Sequence, residues 1–188
     1  ELSSILLTHQ HRDHTAGLDD IRPVYYLNKK AINLYAENHV AKSMKHDFKY
    51  LFDGPDYPGK PKININIIEN KPFLLSNIPI IPIRAMHYKL PILGYRIGDL
   101  TYITDANYIA PEEKKKVLGS KVFIINSLQK KNHISHYNLE QSLDLIKELK
   151  PETAYLTHIS HEMGLHDAVS KELPNNVFLA YDNLEIEC

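Results

Sequence analysis

An α/β fold built on two sheets is predicted for this chain. Apolar runs of strand length alternate with helix-like segments, turn residues separate them, and no internal repeat or linker-like tract breaks the series. The 188 residues, 43% hydrophobic and 24% charged, suit a single domain over residues 1–188 with a core large enough to stand alone. Twenty-two Lys and Arg against 23 Asp and Glu leave a net charge of −1, which announces neither a nucleic acid nor a membrane.

No run of about 18 apolar residues is present, and the start lacks the basic-then-apolar pattern of a signal peptide. A cytoplasmic protein without a membrane partner is therefore expected. The single cysteine, Cys188, excludes an intrachain disulfide and leaves histidine and carboxylate as the plausible metal ligands.

Residues 4–8 read as a buried strand so near the start that the chain is expected to lack N-terminal strands completing its sheet. A polar loop follows, and Ala16-Gly17-Leu18 opens a short helix. Residues 30–40, with Ala31, Ile32, Leu34, Tyr35 and Val40, are close to helical spacing. In residues 60–70, Ile63, Ile65 and Ile67 alternate with Asn64 and Asn66, which predicts a half-buried strand.

The four prolines between Pro72 and Pro91 predict short strands, one of them ending at His87. A hairpin turning at Gly98-Asp99 should deliver Asp105 at the exit of its second strand. Pro111 and Gly119 frame a two-turn helix, and residues 121–126 form another strand. Asn138 and Gln141 resemble a capping box before a helix that stops at Pro151. Residues 153–157 then form a strand ending at His158, and a hairpin around Asp182-Asn183 closes the chain.

The chemistry collects in Thr8-His9-Gln10-His11-Arg12-Asp13-His14, directly after the first strand. Alternate positions His9 and His11 suit one ion, while Asp13 and His14, further round the turn, suit a second. Such loops also occur as solvated turns or adventitious metal binders, but three further strand-end ligands follow: His87, Asp105 and His158. Imidazole suits zinc, iron, manganese or nickel and carboxylate biases toward harder ions, so these residue types leave the metal open.

The pattern His9-x-His11-x-Asp13-His14, then His87, Asp105 and His158, resembles the metallo-β-lactamase superfamily. The stretches LTHQHRDHTAGLDDIRP, LPILGYRIGDLTYITDA, YLTHISHEMGLH and LAYDNLEIE look like its PhnP-type cyclic phosphodiesterases, relatives of the ribonuclease Z-type endonucleases that process tRNA 3′ ends. The resemblance implies an αβ/βα sandwich with metals at the edge between two sheets. It also implies His9, His11 and His87 on one ion, Asp13, His14 and His158 on the other, and Asp105 bridging them, with a bridging hydroxide as nucleophile.

By the same resemblance His136 is the general acid or transition-state stabiliser, counted with Asp13 among the catalytic residues. His133 competes for that role, and a packing or capping role for His136 is the other reading. His161 resembles a ligand of an extra structural zinc that relatives complete with an N-terminal cysteine cluster; this chain shows no such cluster, and His166 is left between a supporting and a surface position.

A binuclear hydrolase of small or cyclic phosphodiesters is thus expected, with two divalent ions and, by family resemblance, a homodimer as its own partner. The alternatives are a tRNA 3′-processing endonuclease, a glyoxalase II-like thioester hydrolase and a metal-binding protein without turnover. The basic runs Lys29-Lys30, Lys114-Lys115-Lys116 and Lys130-Lys131 are short, which argues against RNA. Thr104-Asp105-Ala106 departs from the stretch usual in glyoxalase II, which argues against a thioester.

Overall fold

The computed structural model describes residues 2–55 and 57–187, which form two compact units, Glu1–Glu69 and Asn70–Cys188. Cys188 lies outside the described residues.

In the first unit, strands β1 (Ser4–Leu6), β2 (Ile32–Ala36) and β3 (Ile63–Ile67) make a parallel sheet in the order β1-β2-β3. Between β1 and β2 run helix α1 (Arg12–Thr15), a 3-10 stretch and helix α2 (Arg22–Asn28); helices α3 (Asn38–Asp47) and α4 (Lys49–Phe52) cross from β2 to β3. The core joins Leu34 and Ala36 of β2 to Val40 and Met44 of α3 and to Phe48, all essentially inaccessible to solvent.

The helix expected over residues 30–40 is instead β2 followed by the start of α3. Ile32, Leu34 and Ala36 are buried while Asn33 and Tyr35 are half-buried, a period of two that the flanking parallel strands impose. β3 forms as expected, but Ile67 at its end is 55% exposed, so only Ile63 and Ile65 of the three isoleucines pack on the core.

The second unit is a seven-stranded sheet of β4 (Phe73–Leu75), β5 (Ile78–His87), β6 (Leu90–Ile97), β7 (Leu100–Ile103), β8 (Val122–Asn126), β9 (Thr153–Thr157) and β10 (Val177–Leu179). Its order is β10-β9-β8-β7-β6-β5-β4, antiparallel from β4 to β7 and parallel from β7 to β10. Helix α5 (Pro111–Val117) links β7 to β8, α6 (Leu139–Leu149) links β8 to β9, and the short α7 (His166–Ser170) precedes β10. Phe123, Ile125 and Leu156 of the parallel strands pack with Leu145, Ile146 and Leu149 of α6, the apolar face that its sequence predicts.

Two expectations fail here. β5 is ten residues long despite Pro79 and Pro82, because β4 flanks only Ile78–Ile80 and leaves Pro82 on a stretch with one side open, where a missing amide is tolerated. The closing hairpin is absent: β10 pairs in parallel with β9, and residues 184–187 form no strand. The hairpin at Gly98-Asp99 and the Asn138/Gln141 capping box are as predicted, Gly98 supplying the positive φ that the turn needs. Among the described residues no helix is long and apolar enough to cross a membrane.

Candidate metal centre

In the first unit, chain direction changes within five residues. Leu7 extends the sheet by donating to Tyr35 O at 3.0 Å, and buried Thr8, at a bend, and fully buried His9 follow it out of β1. His11 is still extended and caps α1, after which Asp13 and His14 lie on a helical turn closed by His14 N–H to His11 O. The rings of His9 and His11 are 4.7 Å apart by centroid, those of His9 and His14 4.4 Å, and His14 Nε2 lies 3.2 Å from Asp13 Oδ2. All four predicted residues of this loop therefore gather, whereas Arg12 lies over the Phe48 ring. The Thr8 hydroxyl lies 3.0 Å from His9 Nδ1, which orients the ring.

In the second unit the remaining residues converge from four strand ends or loops. Asp105 leaves β7 at φ +59° and is buried, its Oδ1 accepting from the Thr104 hydroxyl at 2.9 Å. His158 leaves β9 at φ +54°, with Nε2 3.1 Å from Asp105 Oδ1. Non-glycine residues rarely hold positive φ, and two do so here on residues singled out for chemistry. His87, the last residue of β5, donates from Nδ1 to Ser135 O at 3.0 Å, which fixes its tautomer and leaves Nε2 as the lone-pair atom.

His136 sits among them, its ring 4.6 Å from that of His87 and stacked 5.1 Å from that of His158. Its Nε2 is buried without a hydrogen bond among the described residues and lies 3.7 Å from Asp105 Oδ2. One ligand atom from each of His87, Asp105 and His136 falls within 4.8 Å of the others. A buried carboxylate with His158 Nε2 at 3.1 Å and the oriented His87 ring nearby fits a divalent cation, and His136 Nε2 lies beside that carboxylate.

His136 Nδ1 meets the Ser135 hydroxyl at 3.0 Å and His133 Nδ1 at 3.1 Å, so His133 touches His136. Burial, then the neighbouring His136 and His87, push the His133 pKa below the usual imidazole range. His161 is exposed in a 3-10 turn and belongs to no group of candidate ligands among the described residues; His166 is a surface residue edge-on to Tyr181. A recess of about 270 Å³ lined by Thr157, His158, Ile159, Ala180, Tyr181 and Asp182 opens beside His158.

Sequence reasoning missed the residues that hold these groups: Thr8, Thr104, Ser135 and Asn126, whose side chain clasps Ala106 just after Asp105. One signal was readable, a threonine directly before a predicted ligand in Thr8-His9, Thr104-Asp105 and Thr157-His158.

Residues 1–159 match the model of the Beta-lactamase superfamily domain. A solved diphosphatase from the PhnP family superposes with a TM-score of 0.90 at 30% identity, over 99% of this chain and 71% of that one. Human tRNase Z, short form, superposes with a TM-score of 0.66 at 17% identity over 98% of this chain and 78% of that one, a likeness of fold. The octanoyltransferase of Porphyromonas gingivalis (strain ATCC BAA-308 / W83) is 37% identical over 186 residues, 98% of this chain; the chain spans only 37% of the length of that relative.

Proposed function

The chain belongs to the metallo-β-lactamase superfamily, in its PhnP-like branch, and from that premise we propose that it is a binuclear metallohydrolase cleaving a small or cyclic phosphodiester. In this reading His9, His11, Asp13 and His14 would serve as metal ligands from the first unit, and His87, Asp105 and His158 from the second. Zinc or manganese suits the donors, with iron and nickel also compatible. Bound ions of this kind supply Lewis acidity toward phosphoryl oxygens and acidify a water that attacks phosphorus.

The observation that carries the reading is the gathering of half-buried His87 and His158 and buried His136 about the buried Asp105 carboxylate, with His87 oriented by its Nδ1 bond to Ser135 O. Each remaining step falls to this chain's own groups. Thr104 and the Asn126 clasp hold the Asp105 carboxylate in place. His136 delivers a proton to the leaving alkoxide, a step typically worth about 10²–10⁴ in rate. The recess at His158, Tyr181 and Asp182 receives part of the substrate.

Local pairing within two of the three basic runs supports a small substrate over RNA. Lys114 pairs with Glu148 at 2.5 Å, Lys116 with Glu113 at 2.7 Å and Lys130 with Glu172 at 2.6 Å, which consumes charge a phosphate backbone would need. Two other substrates follow from particular relatives: a diphosphate, from the 30% identical diphosphatase, and an acyl thioester, from the 37% identical relative named an octanoyltransferase.

Metal-reconstituted protein is tested on bis(p-nitrophenyl) phosphate, a diphosphate ester and an acyl thioester, with bound metal counted, beside His136→Ala. Diester turnover with about two metals, and a variant that keeps metal but loses rate, is the expected result. Turnover of the thioester alone, or folded protein that takes up no metal, overturns the reading.

A further inference from the structure

The turn between β5 and β6 is built from the wrong residues for a turn. Two-residue hairpin loops at positive φ favour Asn, Asp or Gly, yet Tyr88 occupies this one at φ +55°, beside Lys89. A bulky side chain in the left-handed region is costly, and here its ring is 50% exposed and gains no core contact in return. Conflict between local preference and observed conformation marks a residue kept for another reason.

Tyr88 is not isolated. Its amide donates to Asn107 Oδ1 at 2.9 Å, and Asn107 Nδ2 donates to Ile134 O at 2.9 Å. Asn107 N–H reaches Met86 O at 2.8 Å and Met86 N–H reaches Tyr108 O at 2.9 Å, an isolated antiparallel bridge. Asn107 thus ties three chain segments together, and each presents an exposed apolar side chain: Tyr88, Tyr108 at 53% and Ile134 at 67%. The same segments carry His87 and Ser135, joined by their own hydrogen bond, so the exposed group is continuous with the candidate metal centre. Lys89 Nζ lies 5.3 Å from the Tyr88 ring, which keeps a positive charge beside it.

We propose that Tyr88, Tyr108 and Ile134 form a subsite for the flat organic group of the phosphoester, a nucleoside base in chemical class, which stacks there while its phosphate faces the histidines. This rests on the phosphoester reading above and specifies its substrate. Aromatic rings stack on planar bases with little regard to base identity, so the subsite selects a nucleoside-like ester over a plain sugar phosphate without choosing among bases.

The test is calorimetric binding of adenosine 5′-monophosphate and of ribose 5-phosphate to metal-loaded protein, for the wild type, Tyr88→Asn and the double variant Tyr108→Ala/Ile134→Ser. Asn keeps the left-handed turn accessible, so the first variant removes the ring without forcing the hairpin. The wild type should prefer the nucleotide by about tenfold, and each variant should reduce that preference to about threefold or less, with ribose 5-phosphate binding unchanged. Equal affinity for the two ligands in the wild type, no binding of either, or variants that retain the preference would overturn the proposal. Loss of bis(p-nitrophenyl) phosphate turnover in the wild type counts against phosphoester hydrolysis instead, since the binding preference is read without any bond being cleaved.

Discussion

Asn126 and Ala106 are joined by a reciprocal pair of hydrogen bonds: Ala106 N–H donates to Asn126 Oδ1 at 2.7 Å, and Asn126 Nδ2 donates to Ala106 O at 3.0 Å. The last residue of β8 thereby grips the chain directly after Asp105, where φ turns positive. Asn126→Ala leaves the buried Ala106 amide unsatisfied, while the Ala106 carbonyl keeps its bond from Tyr137 N–H at 2.7 Å, so a loss of about 1–3 kcal/mol is expected in urea unfolding. Metal content should fall with it, because Asp105 loses its anchor; a variant of unchanged stability and metal content would refute this account.

Gly94 admits the close approach of β7 to β6. A Cβ built at this position meets Ile103 Cγ1 at 2.5 Å and Tyr102 O at 2.8 Å, and the backbone oxygen has no rotamer with which to yield. Gly94→Ala should therefore cost about 1–3 kcal/mol of stability by overpacking, read as a lowered midpoint in denaturant.

Glu113 makes stability depend on acid. Burial alone would raise its pKa, but the Lys116 ammonium, the Arg84 amide and the Asn70 side chain outweigh burial and hold the carboxyl below its ordinary range. A carboxyl depressed in the folded state stabilises fully above its unfolded pKa of about 4.3, and that contribution disappears as pH falls through the folded value. Glu113→Gln should be less stable than wild type at pH 7, by about 1–3 kcal/mol, and the difference should shrink below about pH 4. Parallel stability curves across that range would show that the cluster is not coupled to protonation.

The start of α6 orders the segment before it. Asn138 caps the helix through Gln141 N–H and also donates to Asn132 Oδ1 at 2.7 Å, within the loop that carries His133 and His136. Asn138→Ala should cost about 0.5–2 kcal/mol from the cap. Diester turnover should fall further than stability does, because His136 loses its placement. Activity that merely tracks the folded fraction would confine Asn138 to capping.

Chelation should act on stability as well as rate. An ion present at about 100 times its Kd adds roughly 3 kcal/mol to folding, so a chelator should lower Tm by about 6–12 °C in a chain of this size. Restoration by one divalent metal and not by others would identify the ion.

Much of this could be read from residue order, because local chemistry needs no tertiary partner to be recognised. The Gly98-Asp99 turn, the Asn138/Gln141 cap and the strands that end at Asp105 and His158 are all encoded within a few residues. The His9 to His14 loop belongs with them, since an extended His11 followed by one helical turn is enough to gather its side chains. Residues 32–36 show the limit: their apolar positions fit a helix or a strand, and the neighbouring parallel strands decided for the strand. The end of the chain was decided the same way, for residues 177–179 found a better partner in β9 than in the segment that follows them. Sequence alone nominated the histidines and aspartates that gather at the candidate metal centre. Only tertiary structure determined their tautomers, their anchors and the exposed ring of Tyr88, because hydrogen bonds such as those from His87 to Ser135 and from Asn107 to Ile134 link positions far apart in the chain.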